Sequence, residues 1–382
     1  MNIPVLQTRL YLPSPRANLV PRPHLLARLG EGVRLGHKLT LVAAPAGYGK
    51  TTLLCQWLSP HPDAVAWLTL DVGDNDLARF LVYIVAALQT VNPGLGQDLL
   101  QRVQGRGQAS SPLATNELLT DLLNDLARVS SPLVLVLDDY HRINTPAIHD
   151  ALAFLLTHVP PSLHVVIATR ADPPLPIPRL RARGEITEIR QGDLRFTPEE
   201  AAAFLTQSMG LALTAAESAV LEQRTEGWIA GLQLAALSMQ TADTQSTDMQ
   251  PASQARDIAH FITNFSGQYH FILDYLTDEI LKRQPAYIQT FLLYTSILDR
   301  MCGTLCDALL ESPLPHIDQH EVTMPSLHQT GRDILEHLAR ANLFLVPLDR
   351  ERQWYRYHQL FADLLRAQLS KGQADVVMAL HR

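Results

Sequence analysis

Cysteine, long apolar runs and excess positive charge are all scarce in this sequence of 382 residues, and each shortage excludes a class of protein. The three cysteines, Cys55, Cys302 and Cys306, are too few and too unevenly spaced for a disulfide framework, which indicates a reducing compartment. No apolar run approaches the ~18 residues of a membrane span, and the N-terminus lacks the apolar stretch of a secretory signal. We therefore expect a cytoplasmic protein that makes no membrane contact.

The charge balance argues against nucleic acid as the main partner. The net charge is -7 and the isoelectric point is near 6.1, whereas nucleic-acid binding draws on clustered lysine and arginine. What the chain does have is apolar content, at 47%, enough to close sizeable cores. We expect a folded protein of two or three domains.

Short apolar runs alternate with helical patterns from Lys38 to about Arg190, which is typical of βαβ units and a parallel sheet. The fold class predicted here is α/β, a parallel sheet flanked by helices. The predicted helices include Asp76–Gln89 and Thr115–Arg128. The predicted strands are Leu39–Ala43, Val65–Leu70, Leu133–Leu137, His164–Ala168 and Ile186–Ile189.

Helical patterns dominate after Asp193. Thr197-Pro198-Glu199-Glu200 has the composition of a capping box with proline at the first helical position, so it predicts a helix start. Recurring apolar residues predict that helix continues through Ala216–Met239. Residues 240–257 are mostly polar and predict a loop.

The last third of the chain has the pattern of a winged-helix domain. A helical block is predicted over Tyr269–Leu298 and a further helix near Asp333–Ala341, followed by two strand-like runs, Leu343–Leu348 and Trp354–Tyr357. Helix, helix, hairpin is the winged-helix order. The chain stops at Arg382 within a helical pattern that has no end signal, so we expect a longer protein.

A phosphate-binding loop follows the first predicted strand. Residues 44–51, APAGYGKT, match the P-loop pattern except that alanine replaces its first glycine. The two glycines let backbone N–H groups turn toward a phosphate at a helix N-terminus, where Lys50 would neutralise β and γ oxygens and Thr51 would ligate Mg²⁺. A glycine-rich turn without a ligand is the alternative, but the position between strand and helix favours ATP or ADP. The predicted nucleotide contacts of this loop are Ala46, Gly47, Tyr48, Gly49, Lys50, Thr51 and Thr52.

Two aspartates follow the third strand, at the sheet edge where α/β proteins bind ligands. Asp138 is predicted to bind Mg²⁺ through water, and Asp139 to orient or polarise an attacking water. The alternative, a loop that caps the next helix, is disfavoured by the upstream P-loop. Arg170 follows the fourth strand and is a predicted γ-phosphate sensor, with an exposed loop arginine as the alternative.

An ordered series of motifs resembles the nucleotide-binding module of the MalT-like regulators, a bacterial branch of the STAND ATPases. The resemblance covers nearly the whole chain. Besides the P-loop, the motifs are LVPRP at residues 19–23, AWLTLD at 66–71 with DND at 74–76, LDDYH at 137–141, EGWIAGL at 226–232, FILDYL at 271–276, TSIL at 295–298 and WYRYH at 354–358.

This resemblance implies a domain organisation and a switch. The implied parts are a P-loop nucleotide-binding domain at residues 1–195, a helical lid at 196–262, a winged-helix domain at 263–370 and the truncated start of a helical region at 371–382. Such proteins rest with ADP, exchange to ATP, self-associate and hydrolyse ATP slowly to reset. They respond to an inducer or regulatory protein, which is unknown here, and bind DNA only through regions absent from this chain.

The resemblance also implies three site residues outside the P-loop. Arg22 would lie close to the nucleotide base, Arg170 would sense phosphate, and His358 would reach the β-phosphate. The segment Gly227–Leu232 would supply a lid contact, although related switches often have proline where this sequence has Ile229-Ala230. A packed histidine among aromatic residues is the alternative for His358.

Other functions and one other site remain as alternatives. The chain could be a stand-alone P-loop ATPase with a non-transcriptional role, or a DNA-binding module acting through its winged helix, although no basic recognition helix is evident near Asp333–Ala341. The spacing C-x3-C-x9-H-x3-H of Cys302, Cys306, His316 and His320 superficially resembles a zinc finger. Its inner spacing is shorter than usual, so a core role is favoured for Cys306.

Overall fold

The computed structural model describes residues 3–14, 18–106, 112–244, 262, 265, 270–311, 330–349 and 351–372. The chain forms two compact units. The first comprises Met1–Ala44 and Gly49–Leu194, and the second comprises Pro45–Tyr48 and Arg195–Arg382. Four residues of the P-loop, Pro45–Tyr48, therefore belong to the second unit, and they are called the loop tip below.

A five-stranded parallel sheet forms the centre of the first unit. Its strands are β1 (Leu39–Ala43), β2 (Val65–Thr69), β3 (Leu133–Asp138), β4 (Leu163–Thr169) and β5 (Ile186–Arg190), in the order β2-β3-β4-β1-β5. All residues of β1 and β4 are buried, as expected of strands covered on both faces. The α/β fold class is confirmed, with each predicted strand correct to within one residue at either end.

Helices cover this sheet. In the first unit they are α1 (Pro23–Arg34), α2 (Lys50–Leu58), α3 (Leu77–Val91), α4 (Gln97–Arg106), α5 (Pro112–Ala127), α6 (Pro146–His158), α7 (Ile177–Ala182) and α8 (Gln191–Leu194). Helix α3 packs on β2 and buries Phe80, Leu81 and Ile84. The strands β3, β4 and β1 are parallel neighbours in this order. The segments that follow these three strands therefore lie side by side at one edge of the sheet.

The described part of the second unit consists of helices, the turns that connect them and one hairpin. Its helices are α9 (Pro198–Ala203), α10 (Ala215–Thr225), α11 (Ile229–Thr244), α12 (His270–Leu276), α13 (Ala286–Thr295), α14 (Gly303–Leu310), α15 (Gly331–Arg340) and α16 (Gln359–Gly372). The hairpin pairs β6 (Leu345–Pro347) with β7 (Tyr355–Tyr357) in antiparallel register. The predicted capping box is present, since Thr197 and Glu200 bond each other's backbone N–H groups. Helices followed by a hairpin confirm the predicted winged-helix order.

The predicted continuous helix over Ala216–Met239 is wrong, because the chain turns between α10 and α11. Glu226 and Gly227 have positive φ angles of 49° and 68°. A Cβ on Gly227 would lie 2.5 Å from the carbonyl oxygen of Phe196, so only glycine fits there. Apolar residues recur on helical spacing through this break and hid it, whereas a glycine just after a helix was the available signal. We call residues 225–230 the connector turn.

Within the ranges described above, no helix combines the length and apolar character that crossing a membrane requires.

Candidate nucleotide-binding site

The P-loop lysine lies at the start of α2 in a buried position. Gly49, with a φ of 74°, is the N-cap, and Lys50 is the first helical residue. The Lys50 side chain is 8% exposed, and its Nζ donates a hydrogen bond of 2.8 Å to the carbonyl oxygen of Ala44. Burial and the neighbouring charge of Arg170 lower the pKa of Lys50 to about 8, while Asp139 and Asp138 oppose that shift. The predicted phosphate sensor and both predicted acids therefore act on this one ammonium.

Asp138 and Thr51, the predicted Mg²⁺ ligands, are in direct contact. The Thr51 hydroxyl donates to Oδ2 of Asp138 at 2.9 Å, and the backbone N–H of Asp139 donates to Oδ1 at 2.9 Å. Burial and the adjacent Asp139 raise the pKa of Asp138 to about 6. The fold thus brings together a hydroxyl and a carboxylate that are 87 positions apart.

Asn75 holds the loop that follows Asp139. This residue belongs to the DND motif, but no role was predicted for it from the sequence. Asp139 has a φ of 58°, and its carboxylate lies 3.7 Å from a nitrogen of both His141 and Arg142. The Asn75 amide donates to the carbonyl oxygen of Arg142 at 2.8 Å and accepts from the backbone N–H groups of Asn144 and Thr145 at 2.7 and 3.2 Å. Asn75 therefore positions the segment that carries the second acid, and its place in the DND motif was the only sequence signal.

Arg22 contacts the last two residues of the first unit. Its guanidinium donates to the carbonyl oxygens of Leu194 and Asp193 at 2.8 and 3.0 Å, and only 5% of the residue is exposed. Two backbone carbonyl groups thus hold the guanidinium. The predicted approach to a nucleotide base stays a prediction.

The loop tip packs against the connector turn inside the second unit. The Trp228 indole N–H donates to the carbonyl oxygen of Ala46 at 3.0 Å, and the Ala230 backbone N–H donates to that of Gly47 at 3.0 Å. Gly47 has a φ of 78°, and a Cβ on it would lie 2.5 Å from Cβ of Ala230. The segment predicted to supply a lid contact therefore touches the P-loop backbone.

His358 is fully buried in the second unit among aromatic rings. Its Nε2 donates a 2.9 Å hydrogen bond to the carbonyl oxygen of Thr225, and its ring centroid is 6.0 Å from that of Trp228 and 5.5 Å from that of Phe344. Burial lowers the pKa of His358 to about 4. Because Nε2 carries the proton of the neutral ring, Nδ1 is the acceptor nitrogen, and it has no hydrogen-bond partner within the described ranges. The predicted β-phosphate contact and the packed-histidine alternative both remain untested.

A charge pair also holds the connector turn. Arg356 donates to both carboxylate oxygens of Glu226, at 2.7 and 2.9 Å, and the backbone N–H of Gln359 donates to one of them at 3.0 Å. Burial alone would raise the pKa of Glu226, but the Arg356 hydrogen bonds lower it to about 2. A polar crevice of about 640 Å³ adjoins this pair in the second unit, and none of the predicted phosphate-binding residues lines it.

The residues present fit a nucleotide with Mg²⁺. Burial disfavours the charged forms of Lys50 and Asp138, and an anion beside the first and a cation beside the second would each favour the charged form. Hydroxyl and carboxylate oxygens are the ligands that Mg²⁺ takes. Among the described residues, no cluster of three or more His, Cys, Asp or Glu side chains could hold another metal. Of the zinc-like quartet, His316 and His320 lie outside the described residues.

This sheet order and site define a P-loop ATPase joined to a winged-helix domain. The AAA ATPase domain family model matches residues 23–168, and the MalT winged helix domain model matches residues 277–377. The fold is similar to that of the Walker-type ATPase PABY2304 of Pyrococcus abyssi, with a TM-score of 0.51 and 15% identity over 92% of this chain and 97% of that chain.

Longer relatives narrow the class. The chain is 34% identical over 378 residues to the transcriptional regulator MalT of Klebsiella pneumoniae, which covers 99% of this chain and 38% of MalT. It is 33% identical over 376 residues to the serine/threonine-protein kinase PknK of Mycobacterium tuberculosis, covering 97% of this chain and 31% of the kinase. The chain therefore combines an AAA ATPase domain with a MalT winged helix domain, and it is similar to MalT over nearly its whole length. It spans about a third of the length of these relatives.

Replacement of the P-loop lysine should separate binding from stability. Lys50→Met should weaken ADP binding by roughly 10 to 150-fold, the value of one hydrogen bond to a charged group. It should not destabilise the nucleotide-free protein at pH 7, because the buried ammonium costs folding free energy below its folded pKa of about 8. That cost is relieved as the pH rises from about 8 toward the unfolded value of 10.5, so wild type should gain stability relative to Lys50→Met there.

The measurements are calorimetric ADP titration and urea unfolding at several pH values. Lys38→Met is the control, since Lys38 pairs with Glu185 at 3.2 Å and should leave ADP binding intact. An unchanged ADP affinity in folded Lys50→Met would show that the site is misassigned.

Proposed function

We propose that this chain is the nucleotide switch of a larger regulatory protein, resting with ADP, activated by ATP and reset by slow hydrolysis. One observation carries the proposal. The connector turn bonds to the loop tip through Trp228 and Ala230, and it bonds to the winged-helix residues His358 and Arg356 through Thr225 and Glu226. A segment shared by the phosphate loop and the winged helix is what a nucleotide-controlled rearrangement needs.

A switch also requires a contact whose strength differs between the two nucleotide states, because a ligand shifts an equilibrium only by its differential affinity. We assign that contact to Nδ1 of His358. Since Nε2 already donates to Thr225, Nδ1 can donate to a phosphate oxygen only in the doubly protonated ring. Glu226 favours that proton, while burial, Arg195 and Arg356 oppose it, so an anionic phosphate would have to supply the difference.

We assign ATP hydrolysis to the two carboxylates of the first unit. Asp138 with Thr51 would hold Mg²⁺, which neutralises developing charge on the phosphates, and Asp139 would orient the attacking water. Arg170 would respond to the γ-phosphate, and the effect of its charge on Lys50 supports this role. We expect slow turnover because Asp139 is a shorter carboxylate than the glutamate of many fast ATPases.

The switch would act on parts of the longer relatives that lie outside the matched region. Similarity to MalT supports transcription regulation, with DNA bound by regions outside this chain, an unknown inducer and self-association in the ATP state. Similarity to PknK supports a second candidate, control of a protein kinase. DNA binding by the winged helix itself is disfavoured, because Arg332 and Arg340 on α15 both pair with Glu336. The free cysteines agree with a cytoplasmic setting.

Neutralising Asp138 and neutralising Asp139 should have different effects on the proposed ATPase. Asp138→Asn should lose the Mg²⁺ dependence of ATP binding together with hydrolysis, whereas Asp139→Asn should keep Mg²⁺-dependent binding and lose hydrolysis. Calorimetry with and without Mg²⁺, and phosphate release under multiple turnover, measure the two properties. Wild-type turnover above about 10 per second, the median of dedicated enzymes, would favour a metabolic ATPase instead. Identical behaviour of the two variants would remove their separate roles.

His358→Gln should weaken ADP binding more than ATP binding. The glutamine amide can keep the bond to Thr225 while the nitrogen equivalent to Nδ1 is lost, so the change isolates the proposed phosphate contact. Loss of one hydrogen bond to a charged group predicts roughly 10 to 150-fold weaker ADP binding. Wild type should also take up a proton on binding ADP, which is seen as a buffer-dependent binding enthalpy.

The matched control is His149→Gln, which replaces a buried histidine bonded to Tyr140 at 2.8 Å. It should leave both nucleotide affinities unchanged. Equal losses of ADP and ATP affinity in His358→Gln, or none, would make His358 a core residue.

A further inference from the structure

Two consecutive carbonyl groups of the loop tip are fixed by donors from the connector turn. The Ala46 carbonyl oxygen accepts from the Trp228 indole, and the Gly47 carbonyl oxygen accepts from the Ala230 backbone N–H, both at 3.0 Å. Ala230 is the second residue of α11, where a backbone N–H has no partner within its own helix. Its bond to the loop therefore does not compete with α11.

Fixing a carbonyl also fixes the N–H of the same peptide group. Peptide bonds are planar, and the described residues contain no cis bond, so the C=O and N–H of each unit point in opposite directions. The peptide between Ala46 and Gly47 thus directs the Gly47 N–H away from Trp228. In the same way, the peptide between Gly47 and Tyr48 directs the Tyr48 N–H away from Ala230. These two N–H groups are among those that a P-loop offers to phosphate.

We propose that Trp228, assisted by Ala230, is a positioning residue for phosphate binding, because its hydrogen bond sets the direction of the backbone donors at Gly47 and Tyr48. The ligand group concerned is the diphosphate of the nucleotide. The inference rests on the proposed nucleotide binding and adds the residue that prepares its donors. Donors already oriented before the ligand arrives lower the ordering cost of binding.

Gly47 makes such control necessary. Glycine populates positive φ readily and permits many peptide orientations, so the loop tip does not hold one orientation by itself. Trp228 is suited to hold it, because the indole is fully buried and its ring centroid lies 5.1 Å from that of Phe344 and 5.7 Å from that of Tyr275. The same closeness excludes a larger residue at position 47, where a Cβ would lie 2.7 Å from the indole nitrogen.

The test compares Trp228→Phe with wild type in binding inorganic pyrophosphate and ADP. Phenylalanine keeps an aromatic ring and removes the donor. One neutral hydrogen bond predicts a loss of about 3 to 10-fold in affinity. The loss should be the same for pyrophosphate and ADP, because it concerns only the phosphates. A role of Trp228 toward the base would not reproduce this equality, because pyrophosphate has no base.

Trp67→Phe is the matched control. Trp67 is also fully buried, and its indole donates to the Thr69 hydroxyl at 3.0 Å, away from the P-loop. This variant should bind both ligands like wild type. If wild type itself bound neither ligand, the proposed function would fail. If wild type bound both and Lys50→Met did not, an unchanged Trp228→Phe, or a loss limited to ADP, would overturn the positioning role alone.

A measurement on wild type covers the case in which Trp228→Phe does not fold. Coupling between two events is reciprocal, so pyrophosphate binding should strengthen the indole bond as much as that bond strengthens pyrophosphate binding. Solvent exchange of the Trp228 indole proton, followed by NMR, should slow on saturation with pyrophosphate, while exchange at Trp67 should not change. The four indole signals can be assigned by single substitutions at Trp57, Trp67 and Trp354. Equal exchange with and without pyrophosphate would contradict the proposal.

Discussion

The arrangement of the second unit around Trp228 depends on the hydrogen bonds between the connector turn and the loop tip. The Trp228 indole follows a helix break at Glu226 and Gly227, where both residues have positive φ angles. The same hydrogen bonds require glycine at position 47, where no Cβ fits. The aromatic rings of Phe344, Tyr275 and His358 then pack around Trp228, so the core of this unit is built against the phosphate loop.

The first unit buries two ionisable groups at its proposed nucleotide site. Lys50 and Asp138 are both buried, and burial shifts each pKa toward the neutral form. Such groups weaken the folded protein when no opposite charge compensates them, and the proposed phosphate and Mg²⁺ would supply those charges. In the second unit, by contrast, the charges of Glu226 and Arg356 compensate each other. Their hydrogen bonds hold the connector turn.

Local patterns predicted most of the fold, and less of the site. The sheet followed from short apolar runs between helical patterns, since strands buried on both faces read as near-continuous runs of aliphatic residues. The turn at Glu226 and Gly227 was missed because apolar spacing continues through it. Trp228 and Asn75 act through backbone groups far along the chain, and no local pattern encodes which carbonyl a side chain will meet. Arg22 and His358 were assigned by resemblance, and their ligand contacts stay predictions.

The central claim is that winged-helix contacts reach the phosphate loop through the connector turn. A double-mutant cycle of Arg356→Met and Trp228→Phe, measured as pyrophosphate affinity, tests it most directly, because Arg356 bonds Glu226 and not the loop tip. We expect Arg356→Met alone to weaken pyrophosphate binding, and the two changes to couple by about 0.5 to 3 kcal/mol. Additive effects within about 0.5 kcal/mol, or no effect of Arg356→Met, would contradict it.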